Sequence, residues 1–212
     1  MPDLPISGLP QAGELDGSEL FATVQGGITK YTTLDSIIYG PGSNYGLYAE
    51  TSNSNVITAT TSELSLIGSG IGTLSVPANA WNIGDSFRAD FGGYLSSKNN
   101  DTIRIRVKSN SALLADSGVQ TMSTATNDVW QFSINFTVRA LGAAGVASIV
   151  ALGVFHTTKQ SNGAPQGFAF NTVNNTTFDT TILNTLDVTA QFSSAAPENA
   201  IYTDIFVLNK IY

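Results

Sequence analysis

The chain carries a single imidazole, His156, directly after Phe155 in an apolar run. A general base there would need a nucleophile and an orienting partner within reach, and no serine sits in a Gly-x-Ser-x-Gly elbow. His156 therefore reads as structural or solvent-facing. Cysteine is absent, which excludes disulfides, thiol catalysis and Cys-ligated zinc. Gly68, Gly70 and Gly72 have the spacing of a phosphate loop, but neither a following helical pattern nor a P-loop lysine accompanies them. They read as bends in a strand. The carboxylates Asp85, Asp90, Asp101, Asp116, Asp128, Asp179, Asp187 and Asp204 are scattered, and no Asp-x-Asp-x-Asn-Gly calcium loop occurs. Only oxygens gathered from separate loops would then hold an ion. No catalytic, metal or cofactor site is expected. Arg104, Arg106 and Lys108 alternate with Ile103, Ile105 and Val107, so three cations share the outer face of one strand. Such a stripe is either a solvated face that discourages edge-to-edge pairing, or a groove for an acidic glycan or a complementary face at a subunit contact. Asn-x-Thr sequons at Asn100, Asn135, Asn174 and Asn175 carry no weight without a secretion signal.

The elements that must position these groups are strands. Charged residues make up 12% of the 212, about half the usual quarter. Ser, Thr, Asn and Gly fill the surface instead, a composition suited to strands and turns rather than helices. A net charge of −7 argues against a nucleic-acid partner. The start, MPDLPISGLP, has neither a basic n-region nor a long apolar h-region, which reads as a protein made in the cytoplasm without a secretory signal. The most apolar run, Val146 to Phe155, is too short for a membrane helix of about 20 residues, so no membrane insertion is expected.

From about residue 60 onward short strands alternate with turns, the pattern of an antiparallel sandwich or jelly roll. Trp81 and Ile83 follow the Pro77–Ala80 turn as apolar anchors, and Gly92-Gly93 breaks or bulges a strand that starts at Ser86. Trp130, Phe132, Ile134, Phe136 and Val138 place five large side chains on one face of a strand that should lie mid-sheet. Ile182, Leu186, Val188, Ala190 and Phe192 alternate with polar residues in the same way. The last strand differs. Ile205, Val207 and Ile211 share one face and Phe206 and Leu208 the other, so both faces need cover. One cover is the domain's own core, and the other is expected to be a second copy. Ile201, Ile205, Phe206, Val207, Leu208, Ile211 and Tyr212 are therefore the candidate residues of a contact between copies.

The beginning of the chain forms a unit of its own. Phe21 to Val24 and Thr29 to Thr33 read as a hairpin turning at Gln25-Gly26-Gly27, and Leu34, Ile37 and Ile38 follow at helical spacing after Thr33. Residues 41–59 are rich in Gly, Ser and Asn, yet include Tyr45 and Tyr48 just after Tyr39. They read as a linker or trimeric neck, with tyrosines that either pack along a stalk or cover the edge of the next domain.

The run from Ile6 to Ile37 resembles the N-terminal segment of many tailed-bacteriophage virion proteins, notably tail and head fibre-like proteins. The matching positions are Leu9-Pro10, Leu15, Gly17-Ser18-Glu19-Leu20, Val24-Gln25-Gly26-Gly27, Thr29, Thr32-Thr33-Leu34 and Ile37. The resemblance implies virion attachment, through Leu9, Leu15, Leu20, Val24, Gln25, Gly26, Gly27, Leu34 and Ile37. The part from about residue 60 is similar in pattern to the trimeric jelly-roll, tumour necrosis factor-like heads of virion fibres, through Trp81, Gly84, Phe87, Gly92-Gly93, the Trp130–Arg139 strand and the last strand. The implied organisation is an attachment segment (1–40), a neck (41–59) and an all-β head (60–212). The implied function is a non-enzymatic, trimeric virion protein, assembled in the host cytoplasm, whose head binds a host receptor or glycan through loops Ser96–Asp101, Gln160–Gln166 and Asn171–Thr177. A capsid-decoration role is the alternative. A depolymerase is disfavoured, because the chain is too short and too sparsely charged for long repeats with facing carboxylates.

Overall fold

The computed structural model describes residues 20–33, 48–158 and 163–212, and the chain divides into two compact units, 1–44 and 45–212. In the first, β1 (Leu20–Gln25) pairs with β2 (Ile28–Thr33) as a hairpin. Gly26 and Gly27 both take positive φ, 63° and 74°. A two-residue turn with that backbone matches the right-handed twist of its strands, and side chains rarely tolerate it. The hairpin exposes Leu20, Val24, Ile28 and Tyr31, each at 64% or more. The helical spacing at Leu34, Ile37 and Ile38, and the residues Leu9 and Leu15, lie outside the described residues.

The second unit is an antiparallel β-sandwich, and no helix occurs among its described residues. Its short early strands are β3 (Tyr48–Glu50), β4 (Ile57–Thr58), β5 (Leu64–Ser65), β6 (Gly70–Gly72) and β7 (Ser75–Val76). Then come β8 (Ser86–Ser97), β9 (Thr102–Ser109), β10 (Ala112–Asp116), β11 (Gln120–Thr121) and β12 (Ala125–Ala140). Four long strands finish it: β13 (Ser148–Thr158), β14 (Pro165–Asn174), β15 (Asn184–Phe192) and β16 (Ala200–Lys210). The larger sheet runs β14-β13-β12-β8-β16-β3-β6, with β4 also on β16. The smaller runs β10-β9-β15-β5, with β11 on β9 and β7 on β15.

The alternation read in β12 and β15 is realised. Trp130 through Val138 at every second position are buried, as are Leu186, Val188, Ala190 and Phe192. β12 is paired on both sides, as its five large apolar residues require. Pairing register aligns the larger sheet's inner face into one row of phenylalanines: Phe206, Phe91, Phe132, Phe155 and Phe168, one from each of β16, β8, β12, β13 and β14. Their centroids lie 5.1, 4.6, 6.5 and 4.9 Å apart along the row, within the range where aromatic pairs add stability beyond area burial.

Several expectations are corrected. Residues 48–58, read as linker, supply β3 and β4 to the larger sheet. Tyr48 covers the sheet edge, with its hydroxyl donating to Gly68 O at 2.5 Å and its ring edge-on to Phe206 at 6.0 Å. Gly92-Gly93 does not break β8, which runs unbroken to Ser97. The bulge is on its neighbour β16, between Thr203 and Ile205. Glycine is required there by close approach: a Cβ on Gly93 would stand 2.1 Å from Tyr202 O. Gly70–Gly72 forms a short strand on β3 rather than a bend. Ile83 and Ile182 are exposed and anchor nothing in the core.

Candidate functional site

Behind the phenylalanine row, the next residue of each strand faces outward. Register places Ile205, Gly92, Gln131, His156 and Gly167 side by side across β16, β8, β12, β13 and β14. Gly92 and Gly167 bring no side chain to this row, and a Cβ on Gly92 would stand 2.6 Å from Trp130 O. The result is an open groove of about 560 Å³, floored by the sheet and bordered by Tyr94, Val129, Gln131, His156, Asp204 and Ile205. With strands about 4.8 Å apart, the span from Ile205 to His156 is about 14 Å.

Tyr94 borders one side of the groove, and Tyr202, just outside it, packs against that ring. Tyr94 and Tyr202 are paired across β8 and β16, with ring centroids 5.8 Å apart and planes tilted by 32°. Desolvation raises the Tyr202 phenol above its ordinary pKa, and Asp204 and Tyr94 add to this, so at neutral pH the hydroxyl stays a donor. The other side is polar. His156 Nε2 and Gln131 Oε1 lie 3.0 Å apart; since the amide oxygen can only accept, the ring nitrogen donates. Arg88 and Asp90, two residues apart on the same face of β8, form an ion pair at 2.7 Å. Asp204 accepts from Asn53 Nδ2 at 2.7 Å with one oxygen. These are hydrogen-bonding groups on an apolar floor, the usual make-up of a binding site.

The arrangement holds no catalytic constellation. His156 is exposed, with Gln131 rather than a carboxylate as its partner. Among the described residues no group of three His, Cys, Asp or Glu side chains is placed to hold a metal.

The cation stripe of β9 sits on the smaller sheet, between β10 and β15, so it protects no edge. Nor is it an open basic groove. Arg104 pairs with Asp116, Arg106 with Glu63 at 2.7 Å, and Lys108 with Glu63. The Arg104 hydrogen bond is the main cause holding the Asp116 carboxyl below its usual range. Burial pushes Glu63 the other way, but bonds from Lys108 and Thr189 and the Arg106 charge outweigh it, and its pKa is lowered.

The described parts of the candidate binding loops are divided between the ends of the sandwich, and residues 160–162 lie outside the described residues. Ser96–Asp101 borders a recess of about 500 Å³ with Thr124–Thr126, Pro197 and Glu198. In the same loop Asp101 accepts from Ser194 Oγ at 2.5 Å and Asn199 Nδ2 at 2.8 Å. In the 160–166 stretch, Gln166 donates to Thr121 O and accepts from Ser123 Oγ, both at 3.1 Å. Residues 171–177 lie at the opposite end, where buried Asn174 accepts from the amides of Thr176, Thr177 and Phe178. Asn174 is a structural cap.

The candidate trimer residues separate by face. Ile201, Phe206 and Leu208 are buried in the sandwich's own core, at 2% exposure or less, and are unavailable to a second copy. The bulge before Ile205 turns the strand so that Ile205 and Val207 face the groove. Ile211 and Tyr212 lie beyond the strand, and Tyr212 is 81% exposed. Among the attachment residues, Leu20 and Val24 are exposed on the hairpin, and Gly26 and Gly27 form its turn. Gln25 closes β1 opposite Ile28. Leu34 and Ile37 lie outside the described residues.

No protein-family model matches the chain, and no curated protein matches it. Among solved structures, it is similar to the CBM2 module of the evolved Dit of Lactobacillus casei BL23 phage J-1, with a TM-score of 0.28 and 8% identity. The match spans 63% of this chain and 66% of that one, just under two thirds of the module's length.

Sequence reasoning missed the groove. Tyr94 and Tyr202 are outward-facing aromatics on strands whose inward positions are apolar, and that was the available signal. Their adjacency depends on register between strands more than a hundred residues apart.

Proposed function

We propose that the chain is a non-enzymatic tailed-phage virion protein whose N-terminal segment anchors it to the particle and whose sandwich binds a host-surface glycan. The observation that carries the binding reading is the groove on the larger sheet. It sets Tyr94, backed by Tyr202 just outside it, beside a histidine, an amide and carboxylates on the floor of the sheet. Sugar rings need this combination, because their C–H faces pack on aromatic rings while their hydroxyls demand paired donors and acceptors. The virion reading is supported by the resemblance of residues 6–37 and by the exposed apolar side chains of the hairpin there.

The protein assembles as a homotrimer in this reading. Ile211 and Tyr212 meet the other copies, and Ile205 and Val207 remain in the groove. The sandwich end that carries Ile211 and Tyr212 also exposes Ile83, Val146, Ile182 and Leu183. That observation favours a second reading as well, a capsid-decoration role with this end seated on the shell.

The test is adsorption of fluorescently labelled protein to a panel of bacterial strains before and after periodate oxidation of their surface glycans. Adsorption to some strains that periodate abolishes is expected; adsorption to none, or adsorption that survives oxidation, overturns the glycan reading. Immunogold labelling of particles separates the two placements, with label at the tail tip expected and label over the capsid favouring decoration.

A further inference from the structure

We infer that the groove takes a neutral pyranose chain and turns away acidic glycans, a refinement that rests on the glycan-binding reading above. Charge decides it. Arg88 is already matched by Asp90 on its own strand, and Asp204 brings a second carboxylate to the rim. Two carboxylates against one guanidinium leave the groove negative, in a chain whose net charge is −7. A uronate, sialate or phosphate entering it would lose hydration and meet like charge, a combination that disfavours binding strongly. The cation stripe of Arg104, Arg106 and Lys108 lies on the other sheet, bound to Asp116 and Glu63.

The remaining features suit an uncharged sugar. Tyr94 borders the groove, and Tyr202, 5.8 Å from it between ring centroids, extends that aromatic surface beyond the rim. Ile205, 57% exposed and paired with Gly92, adds apolar surface to the groove. Hydroxyls of a chain lying across the strands would meet His156 and Gln131 at one end. At the other they would meet Asp204, which gives one oxygen to Asn53 and keeps the second for a ligand. The phenylalanine row directly beneath holds these strands in register, so the groove is preformed and little ordering entropy opposes binding.

The experiment compares retention of the whole protein on two immobilised panels. One holds neutral gluco-, galacto-, manno- and N-acetylglucosamine oligosaccharides, and the other hyaluronan, alginate and polygalacturonate fragments. Retention on members of the neutral panel alone is expected. Raising salt from about 50 to about 500 mM should change it less than about twofold, because no ion pair is screened. Tyr94→Ala and Tyr202→Ala should each weaken it about tenfold or more, whereas Tyr94→Phe and Tyr202→Phe, which keep the rings, retain most of it. Retention on the acidic panel or on neither panel overturns the inference, as does retention that the alanine variants leave unchanged. A change of oligomeric state in Tyr94→Ala would make the face a contact between copies and overturn it too. Periodate-sensitive adsorption to cells is measured separately, so these outcomes leave the broader glycan reading standing. That reading falls only with the adsorption itself.

Discussion

Glu50 stands where β3, the turn at Gly68 and the β16 bulge meet. Its Oε1 accepts from the Gly68 amide at 2.5 Å and the Thr203 hydroxyl at 3.0 Å, while its Oε2 is buried with no partner among the described residues. Burial raises its pKa more than those two hydrogen bonds lower it, and Asp204 adds to the rise. The folded protein thus holds a proton at Glu50 above the unfolded value of about 4.3, where the unfolded chain has lost it. Stability from this group is complete below that value and is lost as pH rises through the folded pKa. Glu50→Gln removes the titration. Its melting temperature should gain on the wild type as pH is raised from about 4 towards neutrality; a constant difference would show that Glu50 is not desolvated in solution. Glu63 and Asp116 have lowered pKa values and act in the opposite sense, losing stability as pH falls. None of these partners was legible in the sequence. The alternation of Arg104, Arg106 and Lys108 was, but the carboxylates that match them come from Glu63 and Asp116, one of them more than forty residues away.

At the scale of elements, β12 shows how much periodicity alone can settle. Five apolar residues at every second position demanded a buried face and a central place, and β12 has both. β16 shows the limit. Its sequence is apolar on both sides, and a bulge between Thr203 and Ile205 decides which side enters the core. A bulge depends on the partner strand, here on the close passage of Gly93 beneath Tyr202, and no single-strand pattern reports it. The phenylalanine row makes a further prediction. Phe132 lies at its centre, stacked on Phe91 and edge-on to Phe155. Phe132→Ala should cost about 3–5 kcal/mol in denaturant unfolding. A loss under about 1 kcal/mol would mean that the row does not hold the sheet together.

For the whole molecule, the two ends of the sandwich differ. Residue 48 enters beside Leu208, near the end that carries Ile83, Ile182, Leu183, Ile211 and Tyr212, all exposed. The opposite end carries Lys98, Asn99, Thr124 and Glu198 around a polar recess. That group of exposed apolar side chains fits burial against other copies, while Val56 and Val119 are exposed towards the opposite end. Ile211→Asp is therefore expected to dissociate the trimer in light scattering after gel filtration. Val207→Asp should leave it intact while abolishing retention on neutral glycans. A monomer near 22 kDa for the unmodified protein would end the trimer proposal. Dissociation by Val207→Asp alone would place the groove at the subunit contact.

What the sequence determined by itself follows from local physics. Side chains alternate across a strand, glycine pairs close hairpins, and a cysteine-free, charge-poor chain rich in Thr and Asn favours sheets over helices. Those rules reached the all-β antiparallel class, the buried faces of β12 and β15, and the turn at Gly26-Gly27. What the tertiary structure decided is everything that depends on register between distant strands. It placed Tyr94 beside Tyr202, Gly92 between Ile205 and Gln131, and Arg106 against Glu63. A shift of one residue in any of those pairings would turn a strand's faces over, and with them the groove that the outward-facing residues build.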